Sequence, residues 1–268
     1  AKIFLEIGRF ETSLELFRQS GEACLRANKF KDANPIYREA LNFIPKLKSK
    51  GDRNSNYIIF SVLSYMCSYV KGTPNEGLEF LKKTSKNIDK KYFKEHPLIQ
   101  LVSEITLTLR GNESKYLKKI KNNVGNYKFR EVELKLLKYV LLITYIKLSI
   151  KISFKLDKET YITNEILNLD LNFDTKSLVE IINDSFYQFE LKHFSITKFL
   201  INLSDNLTTK NKPSVPLPLD IGKETHLQFK IKAHFQVDNS SIGPMVITCK
   251  LNNDLIFLYE TQSIIPNL

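Results

Sequence analysis

The side chains able to do acid-base, nucleophilic or metal chemistry are few in this sequence and stand apart from one another. His96, His193, His226 and His234 belong to no HxxE, HExxH or His-Cys arrangement of the kind that sets two ligands on one helix face. His226 and His234 share a face of a strand-like stretch, but at ~3.3 Å per residue they lie ~26 Å apart, too far to hold one metal. Cys24, Cys67 and Cys249 are odd in number and widely spaced, with no CxxC and no neighbouring His. Neither a zinc knuckle nor a disulfide framework follows, and a reducing compartment fits. Gly8, Gly21 and Gly51 stand singly, so no glycine-rich loop is present to cradle phosphate. Glu131 and Glu133 open a lysine-rich helical stretch, where the helix dipole and surface pairing account for them. We expect no catalytic residue, no metal and no cofactor, and read the chain as a non-enzyme.

Lysine is the remaining side chain whose spacing suggests a role. Lys115, Lys118, Lys119 and Lys121 cluster on a helical stretch whose apolar stripe is Leu117, Ile120 and Val124, so Lys115, Lys118 and Lys119 project toward water. Lys82-Lys83 and Lys90-Lys91 followed by Tyr92-Phe93-Lys94 form further clusters. Two readings stand for these lysines: contact with an acidic protein or membrane surface, or a solvated helix face. Nucleic acid would call for aromatic platforms among the charges, and only Tyr92, Phe93 and Tyr116 qualify. The whole chain carries 40 basic against 29 acidic residues, a net charge of +11, which also points to acidic partners.

The elements that must position these residues divide in two. Over residues 1–154 apolar residues recur at three- and four-residue steps, as in Leu14, Phe17, Leu25, Phe30, Ala33, Tyr37, Ala40 and Ile44. Phe17, Gly21, Asn28, Phe30, Ala33, Tyr37, Ala40 and Pro45 fall at the offsets of a tetratricopeptide repeat, in which small residues let two helices approach and aromatics fill the space beside them. An ordinary helical hairpin is the alternative. Asn28 suits a left-handed helix end, and further helices are expected at about 55–71, 75–86, 97–110, 112–124 and 128–153. Such an array grows as an α-solenoid. Residues 155–176, rich in Asp, Asn and Thr, read as a connector.

From 177 to 268 the period becomes two. Leu227, Phe229, Ile231 and Ala233 alternate with Gln228, Lys230 and Lys232, and strands are expected at 177–182, 186–189, 194–201, 225–235, 245–251 and 254–259. Gly243-Pro244 reads as a turn and the proline-rich 213–219 as an edge crossing. The fold class is therefore α+β and multidomain: a tetratricopeptide-like α-solenoid followed by an immunoglobulin-like antiparallel β-sandwich. The longest uncharged run of the most apolar stretch, 139–146, is far short of the ~20 residues of a membrane span, so no transmembrane segment is expected. The opening Ala1-Lys2-Ile3-Phe4 enters a helix directly, and the chain reads as an excerpt of a longer protein.

Ser177 to Ser185, Phe194 to Ser204, Leu219-Asp-Ile-Gly222 before a strand, and Gly243 to Leu251 resemble the β-domains that end large subunits of the trafficking protein particle (TRAPP) complex, the subunit-10 and Foie-gras-like family. The resemblance covers about the last hundred residues together with the general character of the helices. It implies a non-catalytic scaffold in a tethering and guanine-nucleotide-exchange assembly, cytoplasmic and peripheral to Golgi membranes. The implied partners are the other subunits of a large complex and, through them, a Rab-type GTPase and an anionic membrane surface. The competing reading, favoured by net charge, is a helical-repeat scaffold associated with nucleic acid.

Overall fold

Some helix ends in the first half of the chain are set by residues that tolerate a left-handed backbone. Asn28 has φ of 55° and Gly72 a φ of 93°, and each is followed by an amide that closes back onto the helix it ends: Lys29 N donates to Cys24 O at 2.8 Å and Thr73 N to Ser68 O at 2.9 Å. These turns separate α2 (Phe10–Arg26) from α3 (Phe30–Ala40), and α4 (Lys50–Lys71) from α5 (Pro74–Ser85). A short α1 (Lys2–Glu6) precedes them, while α6 (Lys90–Glu95), α7 (Pro97–Gly111) and α8 (Glu131–Ser149) follow. The computed structural model describes residues 2–111, 120, 124–158, 164–179, 194–210, 222–234, 241–251 and 255–260. It divides into units 1–144 and 145–268.

In the first unit the expected hairpin positions meet. Ala33, Tyr37 and Ala40 are fully buried, and Phe17 stacks on Phe43 at 5.7 Å. A methyl group at Gly21 would sit 2.3 Å from the Tyr37 ring, so this glycine sets how closely α2 and α3 approach. Buried polar contacts join α3 to α4: Asn34 Nδ2 donates to Ser68 Oγ, and Ser64 Oγ to Asn34 Oδ1. Helix α8 departs from neighbour-only packing. It is apolar on most sides and reaches distant partners, with Tyr139 edge-on to Phe30 and Thr144 Oγ1 2.7 Å from the Tyr69 hydroxyl.

The second unit holds two antiparallel sheets, ordered β1-β2-β5-β4 and β3-β6-β7, which makes the chain α+β. Their strands are β1 (Lys151–Leu156), β2 (Ile166–Asp174), β3 (Phe194–Leu203), β4 (Leu207–Thr209), β5 (Glu224–Ala233), β6 (Ile242–Leu251) and β7 (Leu255–Glu260). The alternation expected on β5 holds: Leu227, Phe229, Ile231 and Ala233 are buried.

Several expectations need correction. The helix over 128–153 stops at Ser149, and Lys151 starts a strand, because Ile152, Phe154 and Leu156 alternate with exposed Lys151, Ser153 and Lys155. The connector over 155–176 contains the end of β1 and the whole of β2. In β2, Asn168, Asp170 and Asn172 occupy one face, Asp170 exposed and the two asparagines half-buried, while Leu167, Leu169, Leu171 and Phe173 are buried on the other. At 177–182 the described part is a turn running into a helical turn at Leu178 and Val179, since Thr175 and Asp174 take up the following amides, Asp174 Oδ1 accepting from Lys176 N at 2.9 Å. Gly243-Pro244 lies inside β6. The register pairs Ile201 with Met245 and Leu203 with Ile242, leaving two residues opposite Asn202, and such a bulge accepts a proline that cannot donate to the ladder. The stretches 186–189 and 213–219 lie outside the described residues.

Candidate interaction site

Of the lysines singled out in the sequence, Lys115, Lys118, Lys119 and Lys121 lie outside the described residues. The other basic clusters are placed: they follow one another along the exposed stretch 82–94, the α5–α6 edge, on the end of α5, the turn after it and α6. Buried Leu81, Thr84 and Ile88 anchor the end of α5 and the turn after it, and the side chains between them point outward: Lys82, Lys83, Lys86, Lys90, Lys91 and Lys94 are all exposed. Asp89 caps α6 by accepting from Lys91 N at 3.0 Å and Tyr92 N at 3.3 Å, and its carboxylate lies 3.7 Å from Lys50 Nζ. These backbone hydrogen bonds hold its pKa below the ordinary aspartate value. Helix α6 buries none of its residues, and Tyr92 is 38% exposed among the lysines.

A second cluster is closed on itself. Arg18 donates to both carboxylate oxygens of Glu133, at 2.6 and 2.7 Å. Arg130 donates to Glu22 and Glu15 at 2.8 Å each, and its backbone amide to Glu133 Oε2 at 3.1 Å. The Glu133 side chain is only 1% exposed, so the expectation of surface pairing for Glu133 is corrected: it pairs in the interior with a partner on α2. Sequence reasoning missed this set because its members are over a hundred positions apart. Its local signals are the i,i+4 spacing of Arg18 and Glu22 on α2, which lie 3.8 Å apart, and the spacing of Arg130 and Glu133 at a helix start, which resembles a capping box. The hydrogen bond from Arg130 holds the Glu15 carboxyl below its ordinary pKa. Every carboxylate here is engaged by a guanidinium, so the cluster fastens α8 to α2 and presents no free base.

Grooves lie on both units among the described residues. One, of about 290 Å³, lies between α2 and α4 and is lined by Glu11, Glu15, Arg18, Asp52 and Asn56 above Leu14 and Phe60. The other, of about 350 Å³, runs along β1, β2 and β5, where the register aligns Ser153, Asn172 and His226 in one row and Lys155, Asp170 and Gln228 in the next. Gln228 Nε2 donates to Asp170 there at 3.1 Å. Neither groove pairs a nucleophile with a base. The described histidines stay apart: His96 caps α7 by accepting from Leu98 N at 3.3 Å, and His234 bonds Thr208 at 2.7 Å. His193 lies outside the described residues. Among the described residues no group of three His, Cys, Asp or Glu could hold a metal ion, and no helix is long and apolar enough to cross a membrane. The arrangement is suited to surface recognition by charge. No family model matches this sequence, and neither does any curated protein.

Proposed function

We propose that this chain is a non-catalytic scaffold subunit of a vesicle-tethering and Rab guanine-nucleotide-exchange complex in Golgi traffic, built as a tetratricopeptide-like solenoid and an immunoglobulin-like sandwich. The observation that carries the reading is the strand order. Lettered along the chain, β1-β2-β5-β4 and β3-β6-β7 become A-B-E-D and C-F-G, the order of a constant-type immunoglobulin domain. Paired with helical hairpins whose glycines, Gly21 and Gly77, allow close helix approach, this supports the solenoid-plus-sandwich plan on which the resemblance rests. In this role helix faces and sheet edges hold the other subunits, and the GTPase is reached through them.

The test is isolation of the tagged protein from its own cells. The expected result is copurification with subunits of the trafficking particle and no acceleration of nucleotide release from a Rab-type GTPase by the purified chain alone. Absence of those subunits, or exchange activity in the isolated chain, overturns the reading. The net charge of +11 favours the second reading, a nucleic-acid-associated scaffold. Copurification with RNA or DNA that dissociates steeply between low and moderate salt would select it.

A further inference from the structure

The lysines at the α5–α6 edge repeat one spacing. Lys82-Lys83-x-x-Lys86 and Lys90-Lys91-x-x-Lys94 place the same pattern on two successive elements joined by a short turn, where Lys86 N, Asn87 N and Ile88 N each donate three residues back. Helix chemistry accounts for the first triplet, since Lys82 and Lys83 stand in the last turn of α5, where cations are favoured. It does not account for the second. Lys90 and Lys91 open α6, at the end that favours anions. No carboxylate pairs with any of the six among the described residues: Asp89 is taken up by the α6 cap and Lys50, and Glu95 forms no ion pair among them. Six exposed like charges along residues 82–94, without carboxylate partners among the described residues, repel one another, and an external anionic surface would relieve that repulsion.

We infer that this edge is a direct membrane-contact site for anionic phospholipid. Four to eight clustered basic side chains are the number that binds acidic headgroups. All six are lysine, whose flexible point charge suits laterally mobile headgroups, whereas the planar fork of arginine suits fixed bidentate partners. Tyr92, exposed between the lysines, has the amphipathic ring that settles at headgroup depth. One exposed aromatic falls short of the series of stacking platforms that single-stranded nucleic acid uses. The inference stands on the charge pattern and holds whether or not the trafficking reading does.

The experiment is cosedimentation of the full chain with phosphatidylcholine vesicles, with and without phosphatidylserine, from ~0.05 to ~0.3 M salt. Binding is expected only with phosphatidylserine and fades as salt rises. Each basic side chain contributes about fivefold at such a surface, so Lys90→Glu, Lys91→Glu and Lys94→Glu together should weaken binding by at least about a hundredfold. The matching Gln triple variant, whose unchanged melting temperature shows that it folds, should weaken it in the same direction. No binding to phosphatidylserine vesicles at ~0.1 M salt, or binding that both triple variants leave intact, overturns the inference. So does tighter binding to single-stranded RNA than to the vesicles, which would assign the edge to nucleic acid.

Discussion

At Gly21 the absence of a side chain decides how α2 and α3 pack. The Tyr37 ring occupies the volume a methyl group would need, and Tyr37 is fully buried, so the ring cannot swing into solvent. Gly21→Ala should lower stability by about 1–3 kcal/mol through overpacking, read as a lower denaturant midpoint at unchanged slope. The Tyr37 hydroxyl has no hydrogen-bond partner among the described residues. Tyr37→Phe should therefore be neutral or stabilising by up to ~1 kcal/mol, and a clear loss of stability would show that the hydroxyl is bonded. The thiols give a chemical readout of burial. Cys67 and Cys249 are buried, and desolvation raises both, Cys249 to about 12, whereas Cys24 is half-exposed. Because the thiolate is the reactive form, alkylation of the native protein at neutral pH followed by mass spectrometry should label Cys24 first. Early labelling of Cys67 or Cys249 would contradict the packing.

Between elements, the α2–α8 clamp is the interaction with the largest expected consequence. Glu133→Ala leaves the Arg18 guanidinium, 15% exposed, without its main partner, and should cost about 3–5 kcal/mol. Replacing both partners with Arg18→Met and Glu133→Leu should recover part of that loss, because the charge and its partner leave together. A double-mutant cycle by urea denaturation measures the coupling, and a coupling near zero would remove the clamp from the account. At the start of α7, His96 accepts a hydrogen bond from Leu98 N and sits between the Tyr92 and Tyr127 rings. Burial lowers its pKa. Between the folded and unfolded values the unfolded chain binds more protons, so stability rises with pH. The contribution is complete above the unfolded value of ~6.5 and is lost as pH falls through the depressed folded value. His96→Asn keeps an acceptor at the cap without the titration, so stability curves from pH 7 to 5 should flatten in that variant.

For the molecule as a whole, the boundary between the units falls within α8, between Thr144 and Tyr145. A break at that boundary would cut a helix whose residues Leu136, Leu137, Val140 and Ile143 are almost fully buried. The first unit therefore needs α8 to its end. A fragment of residues 1–150 should show helical circular dichroism and a cooperative melt. One ending at residue 128 loses α8 along with the partners of Arg18 and Glu22, and should melt without cooperativity. Cooperative unfolding of the shorter fragment would show that the preceding helices form a core without α8.

What the sequence determined by itself was local. The α2–α3 hairpin was legible because Phe17, Gly21, Ala33, Tyr37 and Ala40 act over a few turns on either side of one break, and spacing at that range carries its own geometry. The face of β5 was legible in the same way, from alternation within ten residues. Strand β2 was not. Asn168, Asp170 and Asn172 give it the composition of a connector, and it becomes a strand because β1 pairs on one side and β5, some sixty positions on, pairs on the other. Non-local pairing overrides local propensity there. Glu133 follows the same physics: nothing near it in the chain announces a buried ion pair, because its partner is 115 positions away. Only the tertiary structure, by bringing α2 against α8, decided that this carboxylate lies in the interior.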